Sequence, residues 1–328
     1  MKKRTLILAV LSTAIIFSAT TICIIHYQPK PKELRVVGYL MEYSEDRIDD
    51  EMFDRLTHIV LIAGIGGDPI DIVKFHNRSK TEVFIQKVQD MRGDRDVKIL
   101  YSVAGPISEW TPWQHDATNR SIFVNIIVEF CEDTGLDGID IDCEHPYYKE
   151  DVKALGLLIK DLYKALHAKS KLCSSAVLFG NTGHVKEIIR YQDFINLMIY
   201  DNMDENGIHS DYEDHVYYLD ILRETHVEVR KINAGIPFYG YKGGPSWDNL
   251  SSQRYSQLFL TYHPGPEVDL VNGYSYNGPD TIRKKTEITV EKGFGGMMIW
   301  KVSYDLYPQN ASSLLYQINQ VIPVNNSA

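Results

Sequence analysis

The sequence predicts an α/β chain that folds as a single (β/α)8 TIM barrel behind an N-terminal signal or anchor segment, and three observations carry that expectation. From Arg35 onward, short β-rich apolar runs alternate with segments of helical period, the pattern of a parallel sheet with helices packed outside it. Eight such pairs in roughly 290 residues suit a closed barrel, which typically takes about 250 residues and leaves no edge strand. The run from Asp137 to Glu144, Asp-Gly-Ile-Asp-Ile-Asp-Cys-Glu, alternates apolar with acidic side chains. A strand there turns Ile139, Ile141 and Cys143 to one face and Asp140, Asp142 and Glu144 to the other.

The amino terminus is set apart from this pattern. Met1-Lys2-Lys3-Arg4 is basic, and Leu6 to Ile25 has no charged side chain over about 20 residues, enough to cross a bilayer. The segment reads as an export signal, which places the protein outside the cytoplasm. Phe17 interrupts the small-x-small pattern that a cleavage site needs. Retention as a membrane anchor with a cytoplasmic basic end is therefore expected ahead of removal. Residues 26 to 33, with two prolines and two lysines, form a short tether. The expected organisation is a leader and tether over 1–33, a barrel over 34–322 and a tail over 323–328, acting as a monomer.

With 328 residues, 44% of them hydrophobic, the chain can bury a large core. A formal net charge of −10, with no basic run beyond the first residues, argues against a nucleic-acid surface and for a neutral or at most cationic ligand. Past the leader only Cys131, Cys143 and Cys173 remain. Their odd number and irregular spacing suggest packed side chains rather than a disulfide framework or a metal site.

The predicted strands are Arg35 to Leu40, His58 to Ala63, Lys98 to Val103, Gly138 to Cys143, Leu172 to Val177, Ile195 to Tyr200, Lys231 to Ile236 and Gly296 to Trp300. Between them, Ile122, Phe123, Ile126, Ile127 and Phe130 recur at helical spacing over Asn119 to Thr134, with Gly135 as the stop. Val152, Leu155, Ile159, Leu162 and Leu166 mark a second helix, and others are expected from Asp211 to Val229 and from Ala311 to Val321.

Next-but-one carboxyls on one strand sit roughly 7 Å apart. Their repulsion in a partly closed site raises at least one pKa, giving a neutral acid beside an ionised carboxylate. That pairing suits glycoside cleavage. A wet acidic strand and a divalent-cation site are the alternatives on the residues alone. Inside a barrel, the strand has no solvated face, and Glu144 stands at the carboxyl end, where barrel active sites lie.

At these residues the chain resembles the glycoside hydrolase family 18 chitinases. Their D-x-x-D-x-D-x-E signature on the fourth strand is met by Asp137, Asp140, Asp142 and Glu144. Gly38-Tyr39, Ser102-Val103-Ala104-Gly105, Met198-Ile199-Tyr200-Asp201, Gly235 to Gly240 and Gly295 to Trp300 resemble the family's first, third, sixth, seventh and eighth strands. The resemblance implies substrate-assisted, retaining hydrolysis of N-acetylglucosamine polymers, without metal or cofactor. It implies Glu144 as general acid, Asp142 orienting the substrate acetamido group, Asp140 sharing a proton with Asp142, and Tyr200 bonding the acetamido oxygen. Tyr39, Ser102, Met198, Asp201 and Trp300 are the implied substrate-side residues, Trp300 as the floor under the sugar. Asp137 is expected to brace the strand.

Cys143 replaces the family's usual aromatic, and His145 follows the acid as a rim or structural residue. Residues 241 to 294 are too few for the family's full α+β insertion, so a shallow cleft is expected. Trp110, Trp113, Trp247, Tyr274 and Tyr276 are candidate sugar platforms. An endo-β-N-acetylglucosaminidase acting on N-glycan or peptidoglycan, and a non-catalytic sugar-binding protein, remain the alternatives.

Overall fold

Strand alternation decides which side chains enter the barrel, and the computed structural model shows that alternation throughout. It describes residues 33–42, 48–62, 78–144, 146, 148–244, 250–324 and 326; the leader with Leu6 to Ile25, Trp247, His145 and the side chain of Glu144 lie outside that description. Seven strands come first: β1 Arg35–Met41, β2 His58–Ile62, β3 Lys98–Pro106, β4 Gly138–Glu144, β5 Leu172–Leu178, β6 Phe194–Met198 and β7 Ile232–Pro237. Four short ones follow, β8 Tyr239–Lys242, β9 Ser251–Arg254, β10 Leu270–Val271 and β11 Tyr274–Ser275, and then β12 Gly296–Trp300. The parallel barrel closes in the order β1-β12-β7-β6-β5-β4-β3-β2, while β8 to β11 make a separate four-stranded sheet.

The eight barrel strands fall where the sequence places them, with one difference that bears on the site. β6 ends at Met198, so Tyr200 and Asp201 stand beyond the strand rather than on it. Asp201 takes a left-handed backbone (φ 63°), a conformation Asp tolerates better than most residues, and it turns the chain away from the sheet. The short insertion between β7 and β12 holds the small sheet and the helices Tyr255–Tyr262 and Pro279–Glu291. Two-residue strands such as β10 and β11 are too short to show a period in the sequence.

The helices begin where short polar side chains accept from free backbone N–H groups. Asp116 accepts from Asn119, Asp211 from Asp214 and Ser313 from Tyr316. In the helix Lys149–His167, Leu155, Leu158, Ile159, Leu162 and Leu166 are buried along one face, as its period requires. The apolar core is in two parts. The larger lies between barrel and helices and takes Ile139, Ile141 and Cys143 from the outer face of β4. The smaller fills the barrel with Val37, Tyr39, Val60, Leu100, Ala176, Phe194, Tyr200 and Met298. Cys131, Cys143 and Cys173 are free and buried. Among the described residues, no helix is long and apolar enough to cross a membrane.

Closure of β12 on β1 depends on a bare backbone. Gly296 has φ 144°, and a Cβ there would collide with the Arg35 carbonyl oxygen. Gly296→Ala is expected to destabilise the fold by about 3 kcal/mol or more, read as a lower urea midpoint at unchanged slope.

Candidate active site

The inward positions of β3, β4 and β5 stand side by side: Ser102 pairs with Asp140, and Asp140 with Ser174. All three side chains are buried, and a buried carboxyl needs hydrogen-bond partners. The Asp140 Oδ2 atom accepts from the Tyr39 hydroxyl at 2.9 Å and the Ser102 hydroxyl at 3.0 Å, and Oδ1 accepts from Ser174 at 2.6 Å. Burial raises the Asp140 pKa above the ordinary carboxyl value, while the bonds from Ser174, Tyr39 and Ser102 work in the opposite direction. The Tyr39 hydroxyl is pushed well above its usual pKa, first by burial and then by the charges of Asp140 and Asp142. Hydroxyls can turn to donate or accept, so these partners can satisfy Asp140 in either protonation state.

The network continues away from the mouth. Asn196 on β6 donates to the Tyr39 oxygen at 3.0 Å, Asn233 on β7 donates to Asn196 at 3.0 Å, and the Arg35 Nε donates to Asn233 at 2.9 Å. No motif in the sequence singles out Ser174, Asn196, Asn233 or Arg35. The available signal was a polar residue at an inward position of an otherwise apolar strand.

Asp142 sits one alternation nearer the mouth than Asp140, is 5% exposed and pairs in register with Ala104. Glu144 is the last residue of β4, in register with Pro106. Asp137, at the other end, accepts from the Ile99 backbone N–H at 2.8 Å and from Arg92 at 3.1 Å, and so braces the strand as expected.

Tyr200 is buried in the inner core, with its hydroxyl 4.0 Å from the Met298 sulfur. Room for its ring comes from Gly235: a Cβ there would fall 2.7 Å from the Met298 methyl and 3.1 Å from the ring. Asp201 accepts a 2.5 Å bond from Tyr239, and burial raises its pKa. Met198 closes β6 at the edge of the inner core, and Trp300 closes β12 with its ring 5.6 Å from that of Tyr39. Asp201, Tyr239, Arg254, Trp300 and Tyr304 line a cavity of about 290 Å³ beside the mouth.

The structure thus gathers Tyr39, Ser102, Asp140, Asp142, Met198, Tyr200, Asp201 and Trp300 at or just below one end of the barrel. Two candidate platforms are core residues instead: Trp110 is enclosed and donates to the Gly105 carbonyl at 3.0 Å, and Tyr276 is 1% exposed. Trp113 is half-buried on the core, 6.2 Å from the Phe123 ring. Tyr274 is half-buried beneath the Lys242 ammonium. Among the described residues, no cluster of His, Cys, Asp and Glu is arranged to hold a metal ion.

A family model described as "Glycosyl hydrolases family 18" matches residues 35–305. A class V chitinase of Medicago truncatula, CHIT5a, is 25% identical over 325 residues, spanning 80% of this chain and 83% of its own. The solved chitinase ChiB from the chitin utilization locus of Flavobacterium johnsoniae superimposes with a TM-score of 0.73 at 25% identity, covering 89% of this chain and 94% of its own. A chitinase from Bacteroides thetaiotaomicron gives 0.72 at 26% identity, covering 89% and 97%.

Proposed function

The chain belongs to the glycosyl hydrolases of family 18 and is a glycosidase, and from that premise we propose that it hydrolyses β-1,4-linked N-acetylglucosamine chains, chitin or chito-oligosaccharides, with the substrate's own acetamido group as nucleophile. The observation that carries this reading is the pair of buried carboxyls on β4, Asp140 held by three hydroxyls and Asp142 one step nearer the mouth. In the reaction, Glu144 gives its proton to the glycosidic oxygen as the acetamido carbonyl oxygen attacks the anomeric carbon and the glycosidic bond breaks. Asp142 orients the acetamido group and balances the positive charge of the cyclic oxazolinium. Tyr200 bonds the acetamido oxygen, Trp300 forms the apolar floor, and Asp201 and Met198 shape the wall around the sugar. Water then adds to the anomeric carbon and gives a proton to Glu144 as the bond from that carbon to the oxazolinium oxygen breaks, which restores the acetamido group. Two inversions give net retention, and no step uses a metal.

Tyr39 and Ser102 act on this scheme through Asp140, whose proton is shared with Asp142, so the titration belongs to the pair. Ser174 is a further positioning residue. Its bond favours the charged form of Asp140; its loss raises the pair's pKa, and the proton leaves at higher pH. Ser174→Ala is expected to move the acid limb of the kcat/KM profile up by about one pH unit, with Ser174→Thr restoring it. An unmoved limb contradicts the role.

The deciding experiment is hydrolysis of a chito-oligosaccharide series with products resolved by size and anomer. Cleavage to β-anomeric products is expected. Binding without cleavage would point to a sugar-binding protein, and cleavage with inverted products would remove the acetamido mechanism.

A further inference from the structure

The buried network below Asp140 has a direction, and one residue fixes it. Arg35 is half-buried at the base of β1, with its guanidinium 5.4 Å from the centre of the Phe194 ring and its Nη2 atom donating to the Arg230 carbonyl at 2.7 Å. A guanidinium has hydrogen-bond donors and no acceptor. Its Nε–H therefore requires the side-chain oxygen of Asn233, which turns the Asn233 amide N–H toward the Asn196 oxygen. Asn196 in turn directs its own amide N–H to the Tyr39 hydroxyl oxygen. That hydroxyl already accepts one bond, so its proton goes to the Asp140 Oδ2 atom. The chain of bonds leaves β1 at its base, crosses to β7 and β6, and returns to β1 nearer the mouth.

An asparagine side chain has nearly the same shape turned over, and its neighbours decide its sense. Both amides here are fully buried, and turning over either one would set N–H against N–H. An ionised Asp140 is best served by the observed sense, because a carboxylate only accepts. A protonated Asp140 is not. With no donor-only group at the far end, the chain could reverse and leave Tyr39 accepting from the neutral acid. Arg35 removes that option. Burial lowers its pKa only to about 10, so it stays cationic wherever the carboxyls titrate.

We propose that Arg35 is a positioning residue for hydrolysis, acting through Asn233, Asn196 and Tyr39 to hold Asp140 in its charged form and so keep the enzyme active to lower pH. The inference rests on the glycosidase reading above and adds to its machinery a residue at the opposite end of the barrel from the mouth. Facing the carboxyl pair are Tyr39 on β1, Ser102 on β3, Ser174 on β5, Asn196 on β6 and Tyr200 beyond it, with Glu144 on the same strand; β2 and β12 bring the apolar Val60 and Met298 to the same interior. Facing Arg35 are Asp193, which favours its charge, and His58, which burial and then the Arg35 charge push down to about 3. Lys98 beside His58 is paired with Asp96 at 2.8 Å. The substitutions in the test leave all of these groups in place.

The test is the pH profile of kcat/KM on a chito-oligosaccharide for the parent, Arg35→Met, Asn233→Leu and the double variant. A bond that favours the charged form is weakened in each, so the proton leaves the pair at higher pH. The acid limb is expected to move up by about half to one pH unit in either single variant, with the alkaline limb unmoved. The double variant should shift no further than the larger single shift, because both changes cut one chain. Limb positions do not depend on the fraction of protein folded. Arg35→Met also loses the bond to the Arg230 carbonyl, whereas Asn233→Leu leaves it, so the second variant carries the test should the first not fold. An acid limb unmoved in Asn233→Leu overturns the proposal, and a shift confined to Arg35→Met shows charge acting through space instead. Additive shifts, or an alkaline limb that moves as far as the acid limb, also overturn it. A parent that cleaves no N-acetylglucosamine oligomer overturns the glycosidase reading and the proposal with it.

Discussion

Glu144→Gln is expected to lower kcat on an N-acetylglucosamine oligomer about 10³-fold, with the protein still folded and binding sugar. The amide keeps the size and polarity of the carboxyl but has no proton of suitable acidity to give. Glu144 closes β4 in register with Pro106, on a strand braced at its far end by Asp137. The substitution therefore acts at the mouth and leaves the packed part of the strand alone. The loss should depend on the leaving group. An alkoxide leaving from a sugar needs full protonation, whereas a nitrophenolate leaves almost unaided, so the same variant should lose only about tenfold on an activated aryl chitobioside. Comparable losses on both substrates would mean that the residue serves structure or binding rather than proton transfer. The alkaline limb of the parent's profile on the oligomer should be absent from the variant, because the group that titrates there is gone.

The barrel was legible because two unlike periods alternate along the chain, and each decides burial directly. On β4, Ile139, Ile141 and Cys143 belong to the outer core while Asp140 and Asp142 are turned inward, as the two-residue period requires. What the sequence did not reveal is which polar residues from distant strands meet. Ser174, Asn196 and Asn233 are 34, 157 and 37 positions from their bonding partners Asp140, Tyr39 and Asn196, and only the register of the closed sheet joins them. The same limit explains the aromatic candidates. Trp110 looked like a platform because it follows β3, yet its indole N–H finds the Gly105 carbonyl five residues back and the ring turns inward.

Asp142→Asn carries the second large effect, an expected loss of 10² to 10³ in kcat/KM, the scale of removing one preorganised electrostatic partner, about 3 to 4 kcal/mol. The amide fills the same volume and still accepts a hydrogen bond, but it presents no charge to the oxazolinium in a site only 5% exposed, where water cannot replace it. Because the charge develops along the reaction path, KM for a neutral oligomer should change little while kcat falls. A stable cationic mimic of the oxazolinium separates this from general damage. Its affinity should drop by the same factor as kcat/KM, since both report the interaction of Asp142 with positive charge at the anomeric centre. The parent's rate should also fall steeply when the acetamido group is replaced by trifluoroacetamido, whose carbonyl oxygen is a poorer nucleophile. If the mimic binds the Asp142→Asn variant as tightly as the parent, the carboxylate does not face that charge. Asp140, satisfied by its three hydroxyls, is then the next residue to test as the counter-ion.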